Sequence, residues 1–127
     1  MNLEETFAQI TLIRDALEES AKRLHAYLLV RLTVDGWAPK ELTDLREAME
    51  GVAYGIDLVE VSVETVPALL RAGARRLEPW APKPGVGLTV AVAVLLMAAD
   101  HAEAGATLVT ADIVCANIRE YTSSLVD

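Results

Sequence analysis

Between Gly85 and Ala99 the chain runs GVGLTVAVAVLLMAA without a single ionisable side chain, and Asp100 is the next charge. A helix of this composition has no polar face. It must be covered on every side, by its own chain, by further copies or by lipid. A bilayer span takes about 20 apolar residues. This run is held short by Pro82 and Pro84 on one side and by Asp100, His101 and Glu103 on the other. The expectation is a buried central helix with the remaining elements arranged around it.

A chain of 127 residues is most simply one domain, residues 1–127, large enough to bury a core. Hydrophobic residues make up 53% and aromatic residues 5%, so that core is aliphatic. The net charge of −8 argues against nucleic acid, whose phosphates it would repel. The single cysteine, Cys115, excludes an internal disulfide and fits a reducing compartment. Glu4 and Glu5 stand where a secretory signal would carry Lys or Arg before an apolar run. The chain reads as cytoplasmic, with no membrane segment.

The organisation reads as all-α. Over residues 3–32 the apolar positions Leu3, Phe7, Ile10, Ile13, Leu17, Ala21, Leu24, Leu28 and Leu32 advance in steps of three and four, one stripe of a long helix. Glu18 with Lys22, and Glu19 with Arg23, have the acid-first spacing of four that suits ion pairs on a solvated face. Asp35-Gly36 marks a turn, and Pro39 suits the first turn of a second helix. From there Leu42, Leu45, Met49, Val52, Ile56, Val59, Val63 and Val66 form a heptad seam, which predicts a helix running to residue 66. The alternation Val59-Glu60-Val61-Ser62-Val63 is the competing strand pattern within it. Gly51 and Gly55 weaken that helix or let a neighbour approach closely.

A short helix is expected from Pro67 to Leu77, then a proline-rich, non-helical connector over Glu78–Gly85 anchored by Trp80. The apolar helix follows and ends near Gly105. Thr107 or Thr110 caps a last helix containing Ile113, Val114, Ile118 and Tyr121. The expected assembly is a long antiparallel hairpin over residues 3–66, packed with three C-terminal helices over residues 67–125 around the apolar one.

Chemistry-bearing patterns are sparse. Cys115 lies between Val114 and Ala116 with no base nearby in sequence, as a buried small hydrophobe would. No phosphate-binding loop or dinucleotide fingerprint is present. Asp100, His101 and Glu103 read as the polar end of the apolar helix, because adjacent helical positions do not face one ion. Arg71, Arg75 and Arg76 gather three cations into one short helix, suited to an acidic partner or to the chain's own carboxylates. Trp37 and Trp80 sit in Gly/Pro segments, where an exposed indole would be an interface anchor.

The second helix also carries Glu47 and Glu50, an E-x-x-E pair flanked by Asp44, Asp57 and Glu60. Carboxylates at this spacing share a helix side, and oxygen ligands suit Mg²⁺. The run Gly36-Trp37-Ala38-Pro39-Lys40-Glu41-Leu42 with Arg46-Glu47-Ala48-Met49-Glu50 resembles the first metal-binding helix of MazG-like nucleotide pyrophosphohydrolases. The resemblance covers residues 37–50. It implies an all-α oligomer, Glu47 and Glu50 as Mg²⁺ ligands, and a metal-bound water attacking a nucleoside triphosphate. That family's second E-x-x-D pair has no counterpart in residues 62–78.

The seam, the all-apolar helix and the incomplete catalytic set point to a protein acting by helix-mediated self-association or partner binding. It would have no cofactor and no catalysis. Trp37, Trp80, Arg71, Arg75 and Arg76 are the candidate contact residues. The alternative is the Mg²⁺-dependent pyrophosphohydrolase.

Overall fold

The computed structural model describes residues 1–82 and 87–127. The described residues form five α-helices and no strand: α1 (Leu3–Asp35), α2 (Lys40–Leu58), α3 (Val66–Leu77), α4 (Thr89–Glu103) and α5 (Ala111–Val126), with a single 3-10 turn at Glu78–Trp80 before α4. The fold is all-α, as the periodicity requires.

Helix α1 is the spine. Its 33 residues span about 50 Å at 1.5 Å per residue. The side chain of Asn2 caps its start by accepting from the Glu5 amide (3.0 Å). Gly36 ends it in the left-handed conformation (φ 79°), with its amide donating to the Leu32 carbonyl (3.1 Å). The stripe from Ile10 to Leu28 is buried, whereas its two ends, Leu3, Phe7 and Leu32, are exposed.

Helix α2 returns antiparallel to α1, and Arg14 reaches Asp57 across the pair (2.9 Å). Helix α5 runs parallel to α1 on its other side. Matched pairs climb both helices together: Gln9 with Ala111, Leu12 with Cys115, Glu19 with Arg119, and Arg23 with Asp127. Helices α3 and α4 form an antiparallel pair that closes the core, where Ile10, Ile13 and Leu17 meet Leu70, Leu77 and Leu95.

Four expectations are corrected. The second helix does not continue to residue 66, and residues 59–65 are not a strand either. Val59 leaves the helix with extended backbone (φ −97°, ψ 132°). Beyond it, Ser62 and Thr65 bind each other's backbone and side chains. The Ser62 amide donates to Thr65 Oγ1 (2.9 Å), the Thr65 amide to Ser62 Oγ (3.3 Å), and Thr65 Oγ1 to the Glu60 carbonyl (2.8 Å). Such local bonds compete with the helical ladder, and the β-branched Val59, Val61 and Val63 favour leaving it. The hairpin is therefore 3–58.

The second correction concerns the connector. Glu78–Trp80 is helical after all, as a 3-10 turn; residues 83–86, the rest of the connector and the first residues of the uncharged run, lie outside the described residues.

Third, Glu19 and Arg23 do not pair with each other. Both reach across to α5, Glu19 to Arg119 (3.2 Å) and Arg23 to Asp127 and Ser123 (3.0 Å each).

Fourth, α4 is not covered on every side. Leu95, Ala99 and Ala102 are buried, but Val90 (49% exposed), Leu96 (41%) and Met97 (58%) face outward.

The entry and exit of α4 are built from distant side chains. At its start no side chain of its own caps it. Asn117 of α5 does so instead: its Oδ1 accepts from the Ala91 amide (2.8 Å) while its Nδ2 donates to the Gly87 carbonyl (3.0 Å). Leu88 and Thr89 donate to the carbonyls of Trp80 and Ala81. After α4, Gly105 turns the chain at φ 90°. Asn2 and two residues of α1 then seat the link to α5: Thr107 Oγ1 accepts from the Asn2 amide, Thr6 Oγ1 from the Leu108 amide, and Gln9 Oε1 from the Ala111 amide. Thr110 occupies the cap position of α5, but its hydroxyl makes no capping bond.

Candidate functional site

The charged candidates are mostly engaged within the chain. Arg71 on α3 donates to Asp100 (2.7 Å) and to Glu103 at the end of α4, joining the two helices. Of the three cations expected to act together, Arg71 is thus tied to the chain's own carboxylates. Arg75 and Arg76 are exposed. The Arg76 guanidinium lies over Gly51 of α2, where a Cβ would come within 3.5 Å of it. Gly55 has open space around it. The close helix approach is at Gly73, 3.4 Å from Val52 Cγ1 when a Cβ is added.

The Arg71 bonds hold the Glu103 carboxyl below its ordinary value of 4.5. A depressed carboxylate stabilises the fold above its unfolded pKa, and that contribution disappears as the pH falls through the lowered folded value. Arg71→Gln is expected to flatten the fall of melting temperature below about pH 4.5, as measured by thermal denaturation across the acid range.

Glu47 is exposed, and Glu50 accepts from Arg46 one turn earlier (3.0 Å), while Lys40 and Asp44 form the same kind of pair (2.9 Å). Among the described residues no group of three or more His, Cys, Asp or Glu side chains converges on one point. Cys115 is buried with its Sγ against the Leu12 carbonyl (3.3 Å), and burial pushes its thiol pKa up, away from the reactive thiolate.

The two tryptophans separate. Trp80 is 7% exposed and packs in the core between α3 and α4, so it is no surface anchor. Trp37, at the turn between α1 and α2, is 62% exposed.

What the described surface offers in place of a polar site is apolar area; besides Phe7, Leu12, Val109 and the set Tyr54, Leu58, Val59 and Val63 at the end of α2, two regions stand out. The first is the outer face of α4. Val90, Ala93 and Met97 follow a step of three and then four along it, with Val94 and Leu96 beside them and no charge before Asp100. Ile113 of α5, one turn before the Asn117 that binds α4, is also exposed.

The second is the end of the α1–α2 hairpin. Helix α5 finishes with Val126 beside Ala26, Tyr27 and Val30, and α1 continues past it to Asp35. Leu29, Val30, Leu32, Val34 (69% exposed) and Trp37 stand out from that projection. The off-stripe residues Leu29, Val30 and Val34 were not singled out in the sequence. The signal was there in Tyr27-Leu28-Leu29-Val30, where the helix is apolar on more than its core stripe.

Comparison with family models, with curated proteins and with solved structures returns no match. No described helix is long and apolar enough to cross a membrane.

Proposed function

We propose that this chain works by helix-mediated self-association or partner binding, as a structural or adaptor subunit without catalysis. The outer face of α4 carries the reading. Val90, Leu96 and Met97 are exposed on a helix with no ionisable side chain from Thr89 to Ala99. Scattered apolar side chains are ordinary on a surface, but a contiguous apolar helix face is the usual form of an interaction site. The net charge of −8 keeps the chain dispersed elsewhere and confines association to such uncharged areas.

Multi-angle light scattering across the micromolar range tests this. The expected mass is a multiple of 13.7 kDa. Met97→Glu, which sets a charge in the middle of the α4 face, is expected to lower the mass of the largest species. A wild-type monomer at every concentration would overturn self-association. The same measurement with Mg²⁺ and nucleoside triphosphates, read together with pyrophosphate release, tests the alternative. That alternative rests on the resemblance of residues 37–50 and makes Glu47 and Glu50 the metal ligands.

A further inference from the structure

Helices α2 and α3 leave a recess between them. Gly51, Val52 and Gly55 of α2 face Leu69, Gly73 and Arg76 of α3 across an open groove of about 210 Å³. The two helices approach closely at one place, where a Cβ on Gly73 would lie 3.4 Å from Val52 Cγ1. At Gly55 a Cβ would meet nothing within 4 Å. Packing within the chain therefore does not require glycine at 55, although glycine weakens a helix interior. The space it leaves is open to a molecule from outside.

That space is apolar apart from one group. Val52 and Leu69 line it, and the same two side chains line a small apolar space in the core beside Ile13, Leu17 and Leu95. The exception is Arg76. Its guanidinium lies 3.5 Å from the position of a Gly51 Cβ, and among the described residues it makes no hydrogen bond or ion pair. By contrast, Arg14, Arg23, Arg31, Arg46, Arg71 and Arg119 are each bonded to a carboxylate of the chain. Arg75 is also unpaired, but it does not line this groove. In a chain with 19 acidic and 11 basic residues, the one guanidinium on the groove is left without an acid.

Size and charge select the occupant. The volume is below the ~300–1,000 Å³ of a drug-sized pocket and above the about 150 Å³ of a cavity that takes benzene. An acid of about eight carbons fits such a space. One guanidinium matches one carboxylate through two parallel N–H···O bonds. Among the described residues no second cation lines the groove to balance a doubly charged phosphate. The rest of the lining is hydrocarbon and helix backbone engaged in its own ladder, which suits an aliphatic tail.

We infer that the groove between α2 and α3 binds a medium-chain aliphatic carboxylic acid. The carboxylate sits on Arg76, and the tail lies along Gly55, Val52 and Leu69. This is a small-molecule site separate from the α4 face, and it stands whether or not the chain associates.

Octanoate titrated into isotope-labelled protein, with amide shifts read by NMR, tests it. Saturable shifts are expected at Gly51, Gly55 and Gly73, with a Kd of about 1 mM or tighter. Arg76→Gln, at an exposed position, keeps the fold by circular dichroism and is expected to weaken binding about tenfold or more. Gly55→Leu fills the groove. Its melting temperature is expected not to fall, and octanoate no longer shifts Gly51 and Gly73; should it unfold, Arg76→Gln decides alone. Octanol, the same tail without the charge, is expected to bind wild type about tenfold more weakly than octanoate and Arg76→Gln no more weakly than wild type. No saturable shift up to about 10 mM octanoate, well above the expected Kd, overturns the site. So do shifts confined to the apolar face of α4, or an unchanged affinity in either folded variant. Octyl phosphate binding more tightly than octanoate overturns the carboxylate assignment.

Discussion

Leu95→Glu is expected to abolish cooperative unfolding, whereas Met97→Glu, two residues along the same helix, is expected to leave the melting temperature within about 2 °C of wild type when both are compared at a dilution where the wild type is monomeric. The two positions lie on opposite sides of α4: Leu95 is 3% exposed against α1, α2 and α3, while Met97 faces outward. A carboxylate at position 95 has no cation within the core to meet it, and burying it costs about 4 kcal/mol or more. Total stability of a domain this size is about 5–15 kcal/mol, so the variant is expected to expose its core. At position 97 the same side chain stays in water and a helix former replaces a helix former. Thermal denaturation by circular dichroism reads both. Equal loss in the two variants would mean that the outward face of α4 is covered in the isolated chain. Val94, only partly buried, falls between them.

Asn117→Ala is expected to lower the melting temperature by about 8–12 °C, the equivalent of about 2–3 kcal/mol. The side chain is nearly buried and serves two backbone groups at once, the Ala91 amide and the Gly87 carbonyl. Truncation leaves both without their partner where α4 begins, and α4 has no cap of its own to substitute. The loss is local in origin. Hydrogen exchange is expected to rise first at the amides of Ala91 and Val92, before the centre of α1. A variant as stable as wild type would show that water satisfies these groups and that Asn117 is not what fixes the entry of α4.

Much of the helical architecture is legible in the sequence because it depends on spacing within one element. The step of three and four marks α1 from Ile10 to Leu28, Pro67 marks the start of α3, and Asp35-Gly36 marks the reversal between α1 and α2. The failures share another cause. The seam from Leu42 onward stays in register through Val59, Val63 and Val66 although the helix stops at Leu58, since apolar spacing is blind to Ser62 and Thr65 bonding each other. Glu19 and Arg23 have the spacing of a pair, but α5 offers Arg119 and Asp127 from about a hundred residues away. The uncharged run shows that α4 can be buried all round. Whether the chain has enough surface left to do so is a property of the whole assembly, and here it does not. The projection of the hairpin is hidden for the same reason: it follows from where α5 stops relative to α1, a length difference between two elements at opposite ends of the chain.

The parallel pairing of α1 with α5 has a consequence for how the molecule is made. The contacts that cover this side of the spine join residues about a hundred positions apart. A connection of that separation is entropically costly to close and forms slowly compared with a hairpin between neighbours. During synthesis α1 and α2 pair early, but the flank of α1 around Ala16 and Ser20 stays uncovered until residues 111–126 have emerged. The nascent chain therefore carries an open apolar seam from the emergence of α1 until α5 is made, a period in which such chains aggregate or recruit a chaperone.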